Sequence, residues 1–137
     1  MKIGLDVHGV IDKYPTFVAQ YTLNKINSGN EIHIITGQER EFVEPLVKSL
    51  GVPFTHFFSV VDYHKSIDTK MWQDDKKTWW MEPEAWLRTK GDYCKREGIE
   101  IHFDDSMEYG EFMPDTCAFV HLPRNCKRSQ EFFLNKI

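Results

Sequence analysis

Short apolar runs alternate with segments of helical spacing along this chain, and that alternation restricts the folds open to it more than any other feature. Ile3 and Leu5 lead into Asp6 as a short buried strand, and Gly9 marks a turn after it. Pro15 suits the first turn of a helix, and Phe17, Val18, Tyr21 and Ile26 recur at helical spacing until Ser28, Gly29 and Asn30 stop it. The unit then repeats. Residues 31–35 read as a β-branched strand ending at Thr36 and Gly37, and Val43, Leu46, Val47 and Leu50 share one helical face before Gly51 and Pro53. Proline is tolerated best in a first helical turn, so Pro45 predicts that this helix begins near Phe42.

A third apolar run, residues 57–61, predicts the next strand. Residues 62–82 are rich in Lys, Asp and Trp, with Trp72, Trp79 and Trp80 close together, and predict a loop or small lid. Residues 83–88 predict one short helix. Thr89, Lys90, Gly91 and Asp92 then resemble a capping box, with Thr89 as N-cap, Asp92 returning to the backbone, and Lys90 in the first turn of a helix ending at Gly98. Residues 99–103 form another strand leading into Asp104 and Asp105, residues 117–122 a fifth, and residues 128–137 a closing helix.

Strands alternating with helices imply right-handed crossovers. The expected fold is α/β: a doubly wound, mostly parallel, five-stranded Rossmann-like sheet with helices on both faces. A chain of 137 residues, 41% hydrophobic and 14% aromatic, is expected to form one domain over residues 1–137, with 62–88 as a small lid or loop insertion. A net charge of −4 provides no overall positive field for a polyanion, which disfavours bulk nucleic-acid binding and leaves a local basic pocket open. No stretch approaches the roughly 20 apolar residues of a membrane helix, and the N-terminus lacks the layout of a signal peptide, so a cytoplasmic protein is expected. Cys94, Cys117 and Cys126 are odd in number and contain no CxxC pair, which predicts reduced thiols.

In a parallel sheet the strand carboxyl ends share one edge, and ligands bind in the crevice outside it. Asp6, Thr36, Asp104 and Asp105 all follow apolar strands, so they are expected to converge there. A helix leading into a parallel strand runs antiparallel to it, so the helix N-terminus bearing Lys90 is expected at the same edge.

Asp6-Val7-His8-Gly9-Val10-Ile11 resembles the signature of the haloacid dehalogenase-like (HAD) superfamily: an aspartate, any residue, usually a second aspartate, then glycine and apolar residues. Ile34-Ile35-Thr36-Gly37 is similar to the second motif of that superfamily, Lys90 to the third, and Phe103-Asp104-Asp105 to the acidic fourth, in the same order along the chain. The resemblance implies a Mg²⁺-dependent phosphomonoester hydrolase in which Asp6 attacks phosphorus and forms an aspartyl phosphate. Asp6, the backbone carbonyl of His8, and Asp104 or Asp105 would supply oxygen ligands to Mg²⁺. Thr36 and the Gly37 amide would donate to phosphate, while Lys90 neutralises charge on nucleophile and phosphate. A response-regulator receiver would carry its acidic pair after the first strand, and a dinucleotide fold a glycine-rich turn there; neither fits this order.

His8 stands where the superfamily usually has its second aspartate, the group that resembles a general acid and then a general base. Imidazole, with a pKa of about 6.5, can perform both tasks near neutrality. The alternatives are a catalytically impaired HAD-like phosphate-binding protein and a phosphotransferase to an acceptor other than water. Neither place where the superfamily inserts a large cap has room for one, so the substrate stays open among a nucleotide or nucleic-acid end, a phosphoprotein and a sugar phosphate, with a second copy of the chain as one way to cover the site. Asp12 reads as a turn aspartate or a substrate contact. His33 and His102 fall within strands as core or face histidines, His56 and His64 flank the third strand without metal-ligand spacing, and the tryptophan group is expected to pack beneath a loop, with stacking on a nucleobase or a sugar as the alternative.

Overall fold

The computed structural model describes residues 1–123 together with 135 and 136. Of the closing helix expected over 128–137 only residues 135 and 136 are described, both helical, and Cys126 lies outside the described residues. In chain order the elements are β1 (Lys2–Leu5), α1 (Pro15–Asn27), β2 (Glu31–Thr36), α2 (Arg40–Ser49), β3 (His56–Ser59), α3 (Val60–Ser66), β4 (Trp72–Gln73), β5 (Trp79–Trp80), α4 (Pro83–Glu97), β6 (Ile101–Asp104) and β7 (Ala118–His121). Five strands form one parallel sheet in the order β3-β2-β1-β6-β7, while β4 and β5 pair as a separate antiparallel hairpin. This is the Rossmann-like α/β arrangement expected. The chain leaves β1 in one direction to build β2 and β3, then returns to β1's other side with β6. The switch point between β1 and β6 is where such sheets place ligands.

Side chains alternate across a strand with period two, and that alternation sorts the core into two layers. Ile3, Leu5, Ile32, Ile34, Ile101 and Phe103 pack with Val18 and Tyr21 of α1 and Val43 and Val47 of α2. Ile35 and Ile99 pack with Tyr93 and Cys94 of α4. Helices therefore cover both faces, and full burial of each large aliphatic side chain contributes about 1.5–3 kcal/mol. Among the described residues, no helix is long and apolar enough to cross a membrane.

Three expected boundaries are corrected. The second helix starts at Arg40, and Pro45 lies inside it. Asp62 accepts the Arg40 amide at 3.0 Å, and Glu44 pairs with both Arg40 and Lys48 one turn away on either side. These contacts support the earlier start. The third strand ends at Ser59, not Val61: the Ser59 hydroxyl accepts the Asp62 amide at 3.1 Å, capping α3, and donates to the Gln38 carbonyl at 2.6 Å. Residues 83–97 are one helix. Glu82 caps it by accepting from the Glu84 and Ala85 amides, and Pro83 occupies the first position. Thr89 is therefore no cap: its hydroxyl donates to the Ala85 carbonyl within the helix and meets His64 Nε2 at 2.7 Å. Asp92 lies 3.8 Å from Arg88. A threonine can satisfy its hydroxyl within its own helix, which is why a capping-box pattern alone misplaced the boundary.

His33 is buried, with Nδ1 2.7 Å from Tyr93 Oη and its ring stacked on His56 at 4.2 Å between centroids. Burial, reinforced by His56, holds its pKa below the usual histidine value. A histidine with a depressed folded pKa contributes stability above its unfolded pKa of about 6.5, and that contribution is lost as pH falls below it. Thermal melts of wild type and His33→Gln should therefore differ by an amount that shifts in the variant's favour between pH of about 7.5 and about 5.5. A pH-independent difference would refute buried neutral His33.

Candidate functional site

Asp6 follows β1 directly, and its amide donates to the Phe103 carbonyl at 3.0 Å, holding the residue against β6 across the switch point. Asp104 is the last residue of β6, fully buried, and points to the same face as His102 two residues earlier. Lys90 comes from α4, and its ammonium lies 2.8 Å from Asp104 Oδ2 and 3.3 Å from Asp6 Oδ1. Lys90 thus reaches the site from the interior of a long helix, not from the first turn expected for it. It is only 2% exposed, so its charge is sustained by these carboxylates.

The electrostatics follow from this packing. Burial works to discharge Lys90, but Asp6, Asp104 and Tyr109 outweigh it and raise its pKa above the usual lysine value. Burial likewise disfavours the Asp104 carboxylate, yet Lys90 and His102 reverse that effect and hold it ionised below the usual range. Asp6 differs. Burial, joined by the charges of Asp104 and Asp105 and a hydrogen bond with Asp105, pushes its pKa up to about 8 despite Lys90. The cluster holds more potential negative charge than a single lysine neutralises.

Oxygens of Asp6, Asp104 and Asp105 lie within 4.8 Å of one another. Asp104 is already heavily engaged: Oδ2 accepts from Lys90 and lies 3.0 Å from His102 Nε2, and Oδ1 accepts the Ser106 amide at 3.0 Å. Asp105 is partly exposed and packs against Gly9. A Cβ at position 9 would come within 2.2 Å of Asp105 Oδ2, and the backbone there has φ +88°, so glycine serves both the turn and the close approach.

His8 lies on the Val7–Ile11 turn at the same edge, with its side chain 42% exposed. Its Nδ1 is 2.9 Å from Asp12 Oδ2, while Asp12 Oδ1 accepts the Gly9 amide at 2.8 Å. A carboxylate beside Nδ1 orients the ring and leaves Nε2 on its other side. Thr36 ends β2 and is buried. Gly37 follows under the indole of Trp86: a Cβ at position 37 would lie 2.7 Å from that ring.

The seven residues singled out in the sequence therefore occupy one edge of the sheet, and Asp6, Lys90, Asp104 and Asp105 form one contacting cluster. Several partners were missed. Trp86 and Lys90 lie one helical turn apart, as do His8 and Asp12 in chain spacing, and His102 and Asp104 share a strand face; these spacings are the sequence signal for the pairings. Tyr109, whose ring sits 4.2 Å from Lys90 Nζ and whose hydroxyl accepts from Trp86 Nε1 at 2.9 Å, comes from the short helix Met107–Phe112 and has no such sequence signal.

Fold and site together define an α/β protein with a buried, lysine-bridged acidic site at its sheet switch point. The chain matches none of the known protein-family models and none of the curated proteins with which it was compared.

Proposed function

We propose that the chain is a HAD-like phosphomonoester hydrolase in which Asp6 is the nucleophile and His8 the acid/base. The observation that supports this most is the Lys90 ammonium held between Asp6 and Asp104, beside Asp105, in a buried site at the sheet switch point. Such a site binds an anion only if its own carboxylates are neutralised, and three carboxylates gathered around the single Lys90 ammonium leave negative charge for a further cation to offset. An all-oxygen donor set from Asp6, Asp104 and Asp105 suits Mg²⁺. When bound, Mg²⁺ would neutralise negative charge on the carboxylates and the phosphoryl oxygens.

The protein's own groups then divide the chemistry. The Asp6 carboxylate attacks phosphorus, and the bond from phosphorus to the leaving oxygen breaks as His8 Nε2 gives that oxygen a proton. His8 next takes a proton from water, whose oxygen attacks the phosphorus of the aspartyl phosphate, freeing inorganic phosphate and the Asp6 carboxylate. Asp12 orients the ring for this exchange. Lys90, held protonated, offsets charge on the attacking carboxylate throughout. Thr36 and the Gly37 amide, at the same edge, would donate to phosphate oxygens.

A phosphomonoester panel assayed with and without Mg²⁺ tests the reading, with His8→Ala beside the wild type. Wild type should turn over Mg²⁺-dependently. His8→Ala should lose about 10²- to 10⁴-fold with poor leaving groups and accumulate a hydroxylamine-sensitive phosphoenzyme with activated aryl esters. A wild type that binds phosphate but turns nothing over would favour a binding protein, and transfer to added alcohols in preference to water a phosphotransferase.

Asp104 and Asp105 are expected to separate. Because Asp104 already serves Lys90, His102 and Ser106, Asp105→Asn should raise the half-saturating Mg²⁺ concentration by about tenfold or more while Tm changes little. Asp104→Asn should lower Tm more. Titration calorimetry and thermal melts on both variants would reject the assignment if Asp105→Asn left Mg²⁺ affinity unchanged.

A further inference from the structure

Beside the phosphate edge runs a groove of about 680 Å³, bounded by the β4–β5 hairpin on one side and by α4 and the start of α2 on the other. Its walls include Phe42, Trp79, Trp80 and Trp86, with Lys76 and Lys77 at the hairpin turn. The expectation that the tryptophans pack beneath a loop holds only in part, since Trp72 stays 53% exposed and Trp80 50%, and Phe42, which shares the groove with Trp80, is 66% exposed. Exposed aromatics gathered in one concave surface mark a binding site more often than a folding requirement.

Two of the indoles are held in place by hydrogen bonds. Trp80 Nε1 donates to Asp74 Oδ2 at 3.0 Å, and the other oxygen of Asp74 accepts the Lys76 and Thr78 amides, so one carboxylate fixes both the turn and the ring. Trp86 Nε1 donates to Tyr109 Oη. Trp79 lies beneath the Lys65 ammonium at 4.7 Å. Rings fixed before binding lose little freedom when a flat ligand stacks on them.

Trp86 also joins the groove to the chemistry. Its indole covers Gly37, and its partner Tyr109 lies against Lys90, which touches Asp6. A phosphate at the Thr36–Gly37 edge would therefore direct its ester group along this wall. The lysines narrow the choice of ligand. Lys76 and Lys77 are both exposed, and Lys77 takes a left-handed φ of +63° at the turn. The groove's own acidic group, Glu39, is neutralised by Lys65 at 2.9 Å. Aromatic walls with two exposed lysines at the turn, beside an Asp74 carboxylate already engaged by backbone amides and Trp80, suit a flat ring attached to an anionic group, whereas a sugar phosphate would offer the indoles only the smaller C–H face of its ring.

We propose that this groove is the leaving-group subsite and takes a nucleoside phosphate, its base stacked on the Trp80 and Trp86 side and additional phosphate met by Lys76 and Lys77. The proposal rests on the hydrolase reading for the placement of the phosphate at Gly37. A free nucleotide and the phosphorylated end of a strand share this chemistry.

Binding to Asp6→Asn protein with Mg²⁺ tests the proposal without turnover, read by tryptophan fluorescence and calorimetry. The probes are a nucleoside 5′-monophosphate, ribose 5-phosphate, a phosphotyrosine peptide and a 5′-phosphorylated oligonucleotide. The mononucleotide should bind about tenfold or more tighter than ribose 5-phosphate, as stacking of one base gives. Trp80→Ala should abolish that preference while Trp80→Phe, which keeps a stacking face, retains most of it. Tighter binding of the oligonucleotide, lost in Lys76→Ala/Lys77→Ala, supports a strand end; equal binding supports a free nucleotide. Equal affinity for ribose 5-phosphate, preference for the phosphotyrosine peptide, or a nucleotide preference that survives Trp80→Ala overturns the subsite. Turnover by wild type is scored separately: hydrolysis without base preference sinks the subsite alone, and base-dependent binding with no hydrolysis of any ester sinks the hydrolase reading alone.

Discussion

Lys90→Met is expected to destabilise the protein by about 3–5 kcal/mol, the cost of removing one partner from a buried ion pair. The ammonium sits between Asp6 and Asp104 with 2% exposure, so its loss leaves two carboxylates facing each other without a protein cation. Methionine keeps the length of the side chain and has a helix propensity close to that of lysine, so the change reads the pairing and not α4 itself. Urea unfolding measures it. Mg²⁺ should restore part of the lost stability, because it would neutralise the same carboxylates, and should restore activity far less. A variant as stable as the wild type in chelator would show that Lys90 does not hold these charges.

Asp6→Asn should abolish turnover, by on the order of 10⁴-fold or more, while the fold persists. The amide keeps the shape of the side chain but can neither attack phosphorus nor offer an anionic ligand. Stability should move the other way. An aspartate whose pKa is pushed up to about 8 in the folded protein opposes folding increasingly as pH rises from its unfolded value through that range. Asparagine lacks this liability, so in chelator at a pH of about 8 its Tm should equal or exceed that of the wild type. Adding Mg²⁺ should reverse the order. Mg²⁺-dependent hydrolysis by Asp6→Asn would exclude a covalent intermediate on this residue.

How far the sequence could be read depends on which physical signal each element follows. The five strands of the sheet came from buried apolar runs ending in polar residues, and these are set by the sheet itself: Ile3, Leu5, Ile101 and Phe103 must all face the helical layer, whereas the order of the strands within the sheet was not legible. Asp6, Thr36, Asp104 and Asp105 were placed for the same reason, because their position follows from the strand ends. Helix starts were less legible. Thr89 and Ser59 are both hydroxyl residues near a helix, yet only Ser59 caps one, since Glu82 and Pro83 had already begun α4. What the sequence did not disclose were contacts between elements distant in the chain, such as Tyr109 on Lys90 and Trp86 on Gly37.

The placement of Trp86 and Lys90 on one helix makes α4 a ruler between two tasks. Four residues of α-helix span about 6 Å and return to nearly the same side, so the distance between the groove wall and the site cation is set by backbone geometry alone. Tilting or sliding α4 would carry both groups together and leave their spacing unchanged. Inserting one residue between positions 86 and 90 would instead turn Trp86 by about 100° relative to Lys90. Substitutions on the hairpin side of the groove can thus alter what is admitted without touching the Trp86–Tyr109–Lys90 contacts, whereas a change of length within that single turn would uncouple recognition from chemistry.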